Sequence, residues 1–207
     1  MPLQNRVIPT GEIVAHPARG TYMGNRGILH TANQTLSHAR WRHKAWIICL
    51  LKFKGRHSEV MPLNRYTRLF FLDEAVALSA GHRPCAECRR QVYNSFKSKW
   101  LKSQGVAACR ASDMDNKLHG ERIDQKLKTQ RTTTSPIERL PSGVFIRLSE
   151  HQPAYLVQDD ALYAFKGTHY GGPVRRPKSG PVSVLTPPST VEVLRAGYLP
   201  DLHPSIS

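Results

Sequence analysis

Hydrophobic and polar positions break this chain into short elements. Residues 1–45 carry Pro9, Gly11, Pro17, Gly20, Gly24 and Gly27 as punctuation and read as irregular. Residues 45–53 predict a strand, because Trp46, Ile47, Ile48, Cys49, Leu50 and Leu51 are too apolar for an exposed element. Residues 66–72 predict a second strand that runs into a helix over 73–80, with Gly81 as its C-terminal residue. A longer helix is expected over about 86–103. Val92, Tyr93, Phe96 and Trp100 share one of its faces, and Arg89, Arg90, Lys97, Lys99 and Lys102 the other.

Ser112-Asp113-Met114-Asp115 has the form of a capping box, so a polar helix is expected from there to about 128, followed by a loop over 130–136. Three short strands follow, at 143–148, 153–158 and 161–165, with Asp159-Asp160 as the tight turn of a hairpin. A loop rich in Gly, Pro and Arg covers 166–181. A strand at 182–186 and a helix at 190–196, opened by Ser189 and Glu192 and ended by Gly197, complete the reading.

Charge changes the picture more than composition does. Thirty Lys+Arg stand against fifteen Asp+Glu, a net charge of +15. Such a surplus points to a polyanionic partner, and nucleic acid is the commonest. The 40% apolar content supports a core, and the expectation is a single domain over 1–207. No apolar run is long enough to span a membrane, and residues 1–10 lack the core of a signal peptide. Four cysteines, two of them as Cys-x-x-Cys, fit a reducing cytoplasm better than a disulfide framework.

Cys85-Ala86-Glu87-Cys88 has the spacing at which two thiolates reach one tetrahedral Zn²⁺. It follows an aromatic strand end, a helix of the form D-E-A-x-A-L-x-A-G, and His82-Arg83-Pro84. Over about residues 46–92 these words resemble the second half of the metal-binding domain of the Ada-type DNA repair proteins, with 46–105 as a metal-binding and basic-helix subregion. The resemblance implies DNA contact and a structural zinc ion. Ada-type domains take their other two ligands from an upstream Cys-x-x-x-Cys. Here Cys49 is present, but Phe53 stands where its partner belongs. The expected ligands are therefore Cys49, Cys85, Cys88 and His57, with His82, His43 and His30 as other fourth ligands. The expected fold class is α+β: a small zinc-stapled strand and helix unit joined to a short antiparallel sheet with flanking helices.

A second zinc pattern overlaps the first. His57-Ser58-Glu59, 24 residues, then Pro84-Cys85-Ala86-Glu87-Cys88 matches the H-x-E…P-C-x-x-C string of nucleobase deaminases, in which Glu59 would move protons. Its context differs: Pro62 and Asn64 follow where a helix should run, and a helix precedes the Pro-Cys where a strand should.

Carboxylates are few enough to sort. Asp115 and His119 are i and i+4 on the expected polar helix, and Arg122 joins that face with Glu121 at its edge. A carboxylate, an imidazole and a guanidinium together suit acid–base chemistry beside a phosphate, and Gly120 permits close approach of another backbone. The loop around Asn25 and Arg26 carries three glycines and can cradle a phosphate. Arg40-Trp41-Arg42-His43-Lys44 interleaves cations with an aromatic, as phosphate contact plus base stacking requires.

The expectation is thus an enzyme that binds double-stranded DNA and excises a modified or damaged base. Asp115, His119, Glu121 and Asn25 are its catalytic candidates. Arg26, Arg40, Trp41, Arg42, Lys44, Arg89, Arg90, Lys97, Arg122, Arg175 and Arg176 are its nucleic-acid contacts. The whole chain also resembles bacterial phage-defence DNA glycosylases, which implies glucosylated hydroxymethylcytosine as substrate. The alternatives are a non-catalytic Ada-like zinc module and the deaminase. No obligate protein partner is expected.

Overall fold

A computed structural model describes residues 1–55, 59–124 and 126–206. The fold is α+β, built on two six-stranded sheets. The first comes from the N-terminal half: β1 (Gln4–Val7), β2 (Ile13–Ala15), β3 (Tyr22–Asn25), β4 (Ile47–Leu50), β5 (Leu69–Phe71) and β6 (Arg83–Pro84). Their order is β2-β1-β5-β3-β4-β6, with β1/β5 and β4/β6 parallel and the remaining pairs antiparallel. The second sheet is antiparallel throughout. It comprises β7 (Thr133–Pro136), β8 (Phe145–Arg147), β9 (Tyr155–Gln158), β10 (Ala161–Phe165), β11 (Tyr170–Arg175) and β12 (Pro181–Val184), in the order β11-β10-β9-β8-β12-β7.

Among the described residues, four α-helices, α1 (Glu74–Ser79), α2 (Arg90–Gln104), α3 (Ala111–Arg122) and α4 (Pro188–Arg195), and a short 3-10 helix at Ile137–Arg139 complete the fold. Tyr93, Phe96 and Trp100 of α2 turn inward, as their spacing predicts, and α4 packs on both α2 and α3. One apolar core draws on both sheets, from Val7 and Phe71 to Phe145 and Leu162.

Several expectations need correction. Residues 1–45 are not merely irregular, since β1–β3 lie there. The glycines that suggested a loop let strands approach each other. A side chain at Gly24 would meet Ile47 O at 2.2 Å, and one at Gly20 would meet Phe71 O at 2.3 Å. The expected loops at 130–136 and 166–181 contain β7 and β11. Helix α3 stops at Arg122 instead of running to 128. Its N-terminal cap is Arg110, whose N–H donates to Asp113 at 2.7 Å, and Ser112 lies inside the helix. Gly120 has no neighbour within 4 Å of a built side chain, so it serves no close approach.

The start of α1 ties the two halves together. Asp73 caps the helix through Val76 N and also accepts from the Tyr170 hydroxyl at 2.8 Å. Glu74 is buried and accepts four hydrogen bonds: two from Arg89 (2.8 and 2.9 Å), one from the Tyr198 hydroxyl (2.7 Å) and one from Asp201 N (3.0 Å). Arg89 also lies over the Tyr22 ring at 4.3 Å. Sequence reasoning put Arg89 on a DNA-facing surface; it is buried and fully engaged, because Glu74 offers it a bidentate partner. Truncating one member of such a pair strands the other charge in the interior. We predict that Glu74→Ala lowers stability by about 3–5 kcal/mol, read from the midpoint and slope of urea unfolding. A loss below about 1 kcal/mol would mean that the pair behaves as a surface contact.

Candidate functional site

Trp46, just before β4, is buried and carries two guanidinium groups on its indole. Arg26, following β3, sits 4.0 Å from the ring centre, and Arg122, ending α3, sits 3.7 Å from it. The indole N–H donates to His43 O at 2.9 Å, and Trp46 O accepts from Arg83 N, which joins β4 to β6. His82 packs on Trp46 with 5.1 Å between ring centres, and Trp41 packs on Trp46 at 6.4 Å and on His119 at 5.7 Å. Trp46 is thus more than the core residue its apolar neighbours suggested.

Arg26 and Arg122 are only 2% and 1% exposed, yet no carboxylate pairs with either among the described residues. Arg26 donates to Gly11 O (2.9 Å) and to His82 Nε2 (3.4 Å), leaving Nη2 without an acceptor. Arg122 donates to Gly81 O (2.6 Å), Lys44 O (2.7 Å) and His119 Nδ1 (3.2 Å), leaving Nε without one. Burial, and secondarily the charge of Arg122, holds Arg26 well below the usual guanidinium range. Burial pulls Arg122 itself down to about 9. A cavity of about 420 Å³ opens beside them, lined also by Thr10, Glu12, Arg40, Trp41 and Gln130. Sequence reasoning missed Thr10 and Glu12, between β1 and β2, and Gln130, in an isolated bridge with Ile123; no pattern marks them.

The catalytic candidates have separate surroundings. Asp115 lies on the buried face of α3 with His119 and Arg122, as expected. Its two oxygens accept from Arg83 Nε and Nη2, both at 2.8 Å, so its partner is Arg83 instead of His119. Glu121 accepts from Ser189 N (2.9 Å) and Ser189 Oγ (2.6 Å) at the start of α4, where a negative charge favours the helix end. Asn25 shares a hydrogen bond with His43 at 3.0 Å and faces a different cavity.

The cations expected on DNA divide in the same way. Arg40 and Trp41 line the Trp46 cavity beside Arg26 and Arg122. Arg42 and Lys44 are exposed nearby, and Lys44 Nζ reaches Asn116 at 3.0 Å. Arg90 is exposed at the start of α2 and Lys97 is half-buried. Arg175 is exposed on edge strand β11, and Arg176 donates to Leu140 O and Asp159 O.

Three cysteines meet elsewhere on the same sheet. Parallel pairing of β4 with β6 sets Cys49 beside Cys85, whose N–H donates to Ile48 O at 3.0 Å. The Sγ atoms of Cys49, Cys85 and Cys88 all lie within 4.8 Å of one another, placed to bind a single metal ion. Glu87 N donates to Cys85 Sγ at 3.4 Å. The Cys49 thiol, then nearby backbone N–H groups, lowers Cys85 to about 5 against the opposing effect of burial. This donor set fits a thiophilic divalent ion. The expected fourth ligand His57 lies outside the described residues. His30 bonds Thr67 (2.6 Å), His43 bonds Asn25 and His82 bonds Arg26, so none of these three joins the thiols. The three cysteines line a cavity of about 500 Å³ together with Asn25, Phe53, Tyr66, Arg68 and Glu87 among others. Glu59 is exposed, outside the described lining. Compared with known proteins, the chain matches no family model, no curated sequence and no solved structure. Among the described residues no helix is long and apolar enough to cross a membrane.

The buried cations hold two imidazoles neutral. Burial and then Arg26 and Arg122 push His82 well below its ordinary value, and burial with Arg122 and Lys44 lowers His119 to about 4. The unfolded chain protonates these groups near 6.5, before the folded chain does. Stability from this source is therefore complete above about 6.5 and falls as pH drops toward 4, by at most about 1.4 kcal/mol per pH unit for each histidine. Urea midpoints measured across this range should decline with acid, and the decline should be shallower in His119→Gln. Identical pH profiles for the two proteins would contradict the assignment.

Proposed function

We propose that the chain is a DNA-binding enzyme that acts on modified or damaged bases, excising the base to leave an abasic site. The cavity at Trp46 carries this reading. In a chain of net charge +15 it combines buried, unpaired guanidinium groups with Trp41 and Arg40 in its lining, as a pocket for an extruded nucleotide requires. The positive field gathers the duplex, and the nucleotide leaves the stack to enter the cavity. Water adds at the sugar C1′ while the N-glycosidic bond breaks, and the base departs with the bonding electrons and takes up a proton. Glu12 is the carboxylate in the cavity lining, and it is exposed. It is therefore better placed than Asp115 or Glu121 to accept the proton of water and to stabilise the cationic sugar. The thiols of Cys49, Cys85 and Cys88 would hold zinc, and the bound ion would fasten β4 to the turn before α2.

A second reading rests on the thiols' own setting. Three cysteines that line a cavity also suit zinc deaminase chemistry, where bound zinc activates water and a glutamate moves protons. Glu87, which lines that cavity, would then be the proton carrier in place of the expected Glu59.

Plain, uracil-containing, alkylated and glucosylated phage DNA, each incubated with the protein, treated with alkali and run on a denaturing gel, separate these readings. Base excision predicts breaks only after alkali, with Glu12→Gln slowed at least about 100-fold, as loss of a positioned general base does, and Asp115→Asn slowed less. Intact strands with a one-dalton mass gain in the base would favour the deaminase. Intact strands with no mass change would leave only a binding module.

Zinc predicts one equivalent of metal in protein purified without chelator. Cys85→Ser should weaken it by about 100-fold or more, beyond what losing an outer-shell partner costs, by chelator competition. Metal-free wild-type protein with native circular dichroism would overturn the zinc assignment.

A further inference from the structure

We propose that the cavity at Trp46 contains a phosphate site, in which Arg26 and Arg122 hold the anion and Gln130 reads the group attached to it. A guanidinium cannot shed its proton at ordinary pH, so burying it commits the fold to a full positive charge in a poorly polarisable setting. Elsewhere the chain compensates such charges: Arg83 has Asp115 and Arg89 has Glu74, each through two hydrogen bonds. Among the described residues Arg26 and Arg122 have no such partner, although they are as deeply buried.

The unsatisfied atoms specify the ligand. Four residues of this lining each carry a buried polar atom without a partner: Arg26 Nη2, Arg122 Nε, Thr10 Oγ1 and Gln130 Oε1. Three can donate, which matches the terminal oxygens of a phosphate monoester better than the two oxygens of a carboxylate. Gln130 has its amide nitrogen fixed by Ser79 O (2.9 Å) and Leu185 O (2.7 Å), so its Oε1 can only accept. It suits a hydroxyl or amino group on the phosphate-bearing molecule. The ligand class is therefore a nucleotide. That it belongs to DNA rests on the proposed function; the phosphate site itself does not.

The test titrates purified full-length protein with inorganic phosphate, with dCMP and with a DNA oligonucleotide. Binding is followed by calorimetry and by tryptophan fluorescence, since Trp41 and Trp46 both line the cavity. Saturable binding of phosphate and tighter binding of dCMP are expected, with a rise in melting temperature. Arg26→Gln should weaken phosphate at least tenfold, and Thr10→Val, which removes a single hydroxyl, several-fold. Gln130→Glu should weaken dCMP, by repulsion of its phosphate, more than an Arg139→Gln control at an exposed position. If Arg26→Gln does not fold, Thr10→Val decides. No saturable phosphate or nucleotide binding, or equal binding by wild type and Thr10→Val, overturns the site. DNA that displaces phosphate identifies the polymer as the source. dCMP binding without competition from DNA keeps the site and removes the DNA reading. Base excision that proceeds unchanged in Thr10→Val, with no phosphate binding, does the reverse.

Discussion

Trp46 and the two guanidinium groups on its indole fix the relation of three elements that are far apart in the chain. Arg26 follows β3, Trp46 precedes β4 and Arg122 ends α3. Arg122 also binds the carbonyls of Gly81 and Lys44, so the turn after α1 and the segment before β4 are held by the same side chain. Gly81 has φ +80, and a side chain there would meet Arg122 Cδ at 2.4 Å, so its lack of a Cβ is part of the same arrangement. Each guanidinium gains about 2 kcal/mol from a desolvated ring face, less than the several kcal/mol that burying an ion costs. The remainder is what makes the cavity a demanding place: two charges, two neutral imidazoles and, among the described residues, no carboxylate paired with either arginine.

The contrast with the rest of the interior gives this weight. The chain has only fifteen acidic residues, and it uses buried ones where cations need them. Glu74 satisfies Arg89, Asp115 satisfies Arg83, and Asp73 accepts from Tyr170 and from His203 N. Glu121 holds the start of α4. These carboxylates are engaged in architecture, and Glu12 is left as the carboxylate of the cavity lining. The thiol group stands apart, on its own cavity, with Asn25 facing it and Arg26 lining the other. Adjacent residues at one strand end thus line two different cavities.

Local pattern carried much of the fold. Strand β10 has the predicted bounds, α1 begins at the Asp73 cap, and Asp159 takes the φ of +51 that the expected hairpin turn uses. The meeting of Cys49 with Cys85 and Cys88 followed from the spacing and the partial Ada resemblance. What the sequence hid is non-local. Strands β1–β3 are three or four residues long, and β3 carries Gly24 within it, so no period identifies them. Asp115 pairs with Arg83, 32 residues away, while helix spacing alone suggested His119. Arg89 looked like a surface cation because its partner Glu74 lies in another helix. The unpaired state of Arg26 and Arg122 is invisible in sequence, because it is defined by which carboxylates fail to reach them.

A crystal structure of the protein with a duplex carrying one modified base tests the central claim most directly. The account predicts an extruded nucleotide in the cavity beside Trp46, its phosphate against Arg26 and Arg122 and its sugar C1′ facing Glu12. A duplex bound elsewhere, with the base still stacked or with the nucleotide in the cavity at Cys49, Cys85 and Cys88, would contradict it.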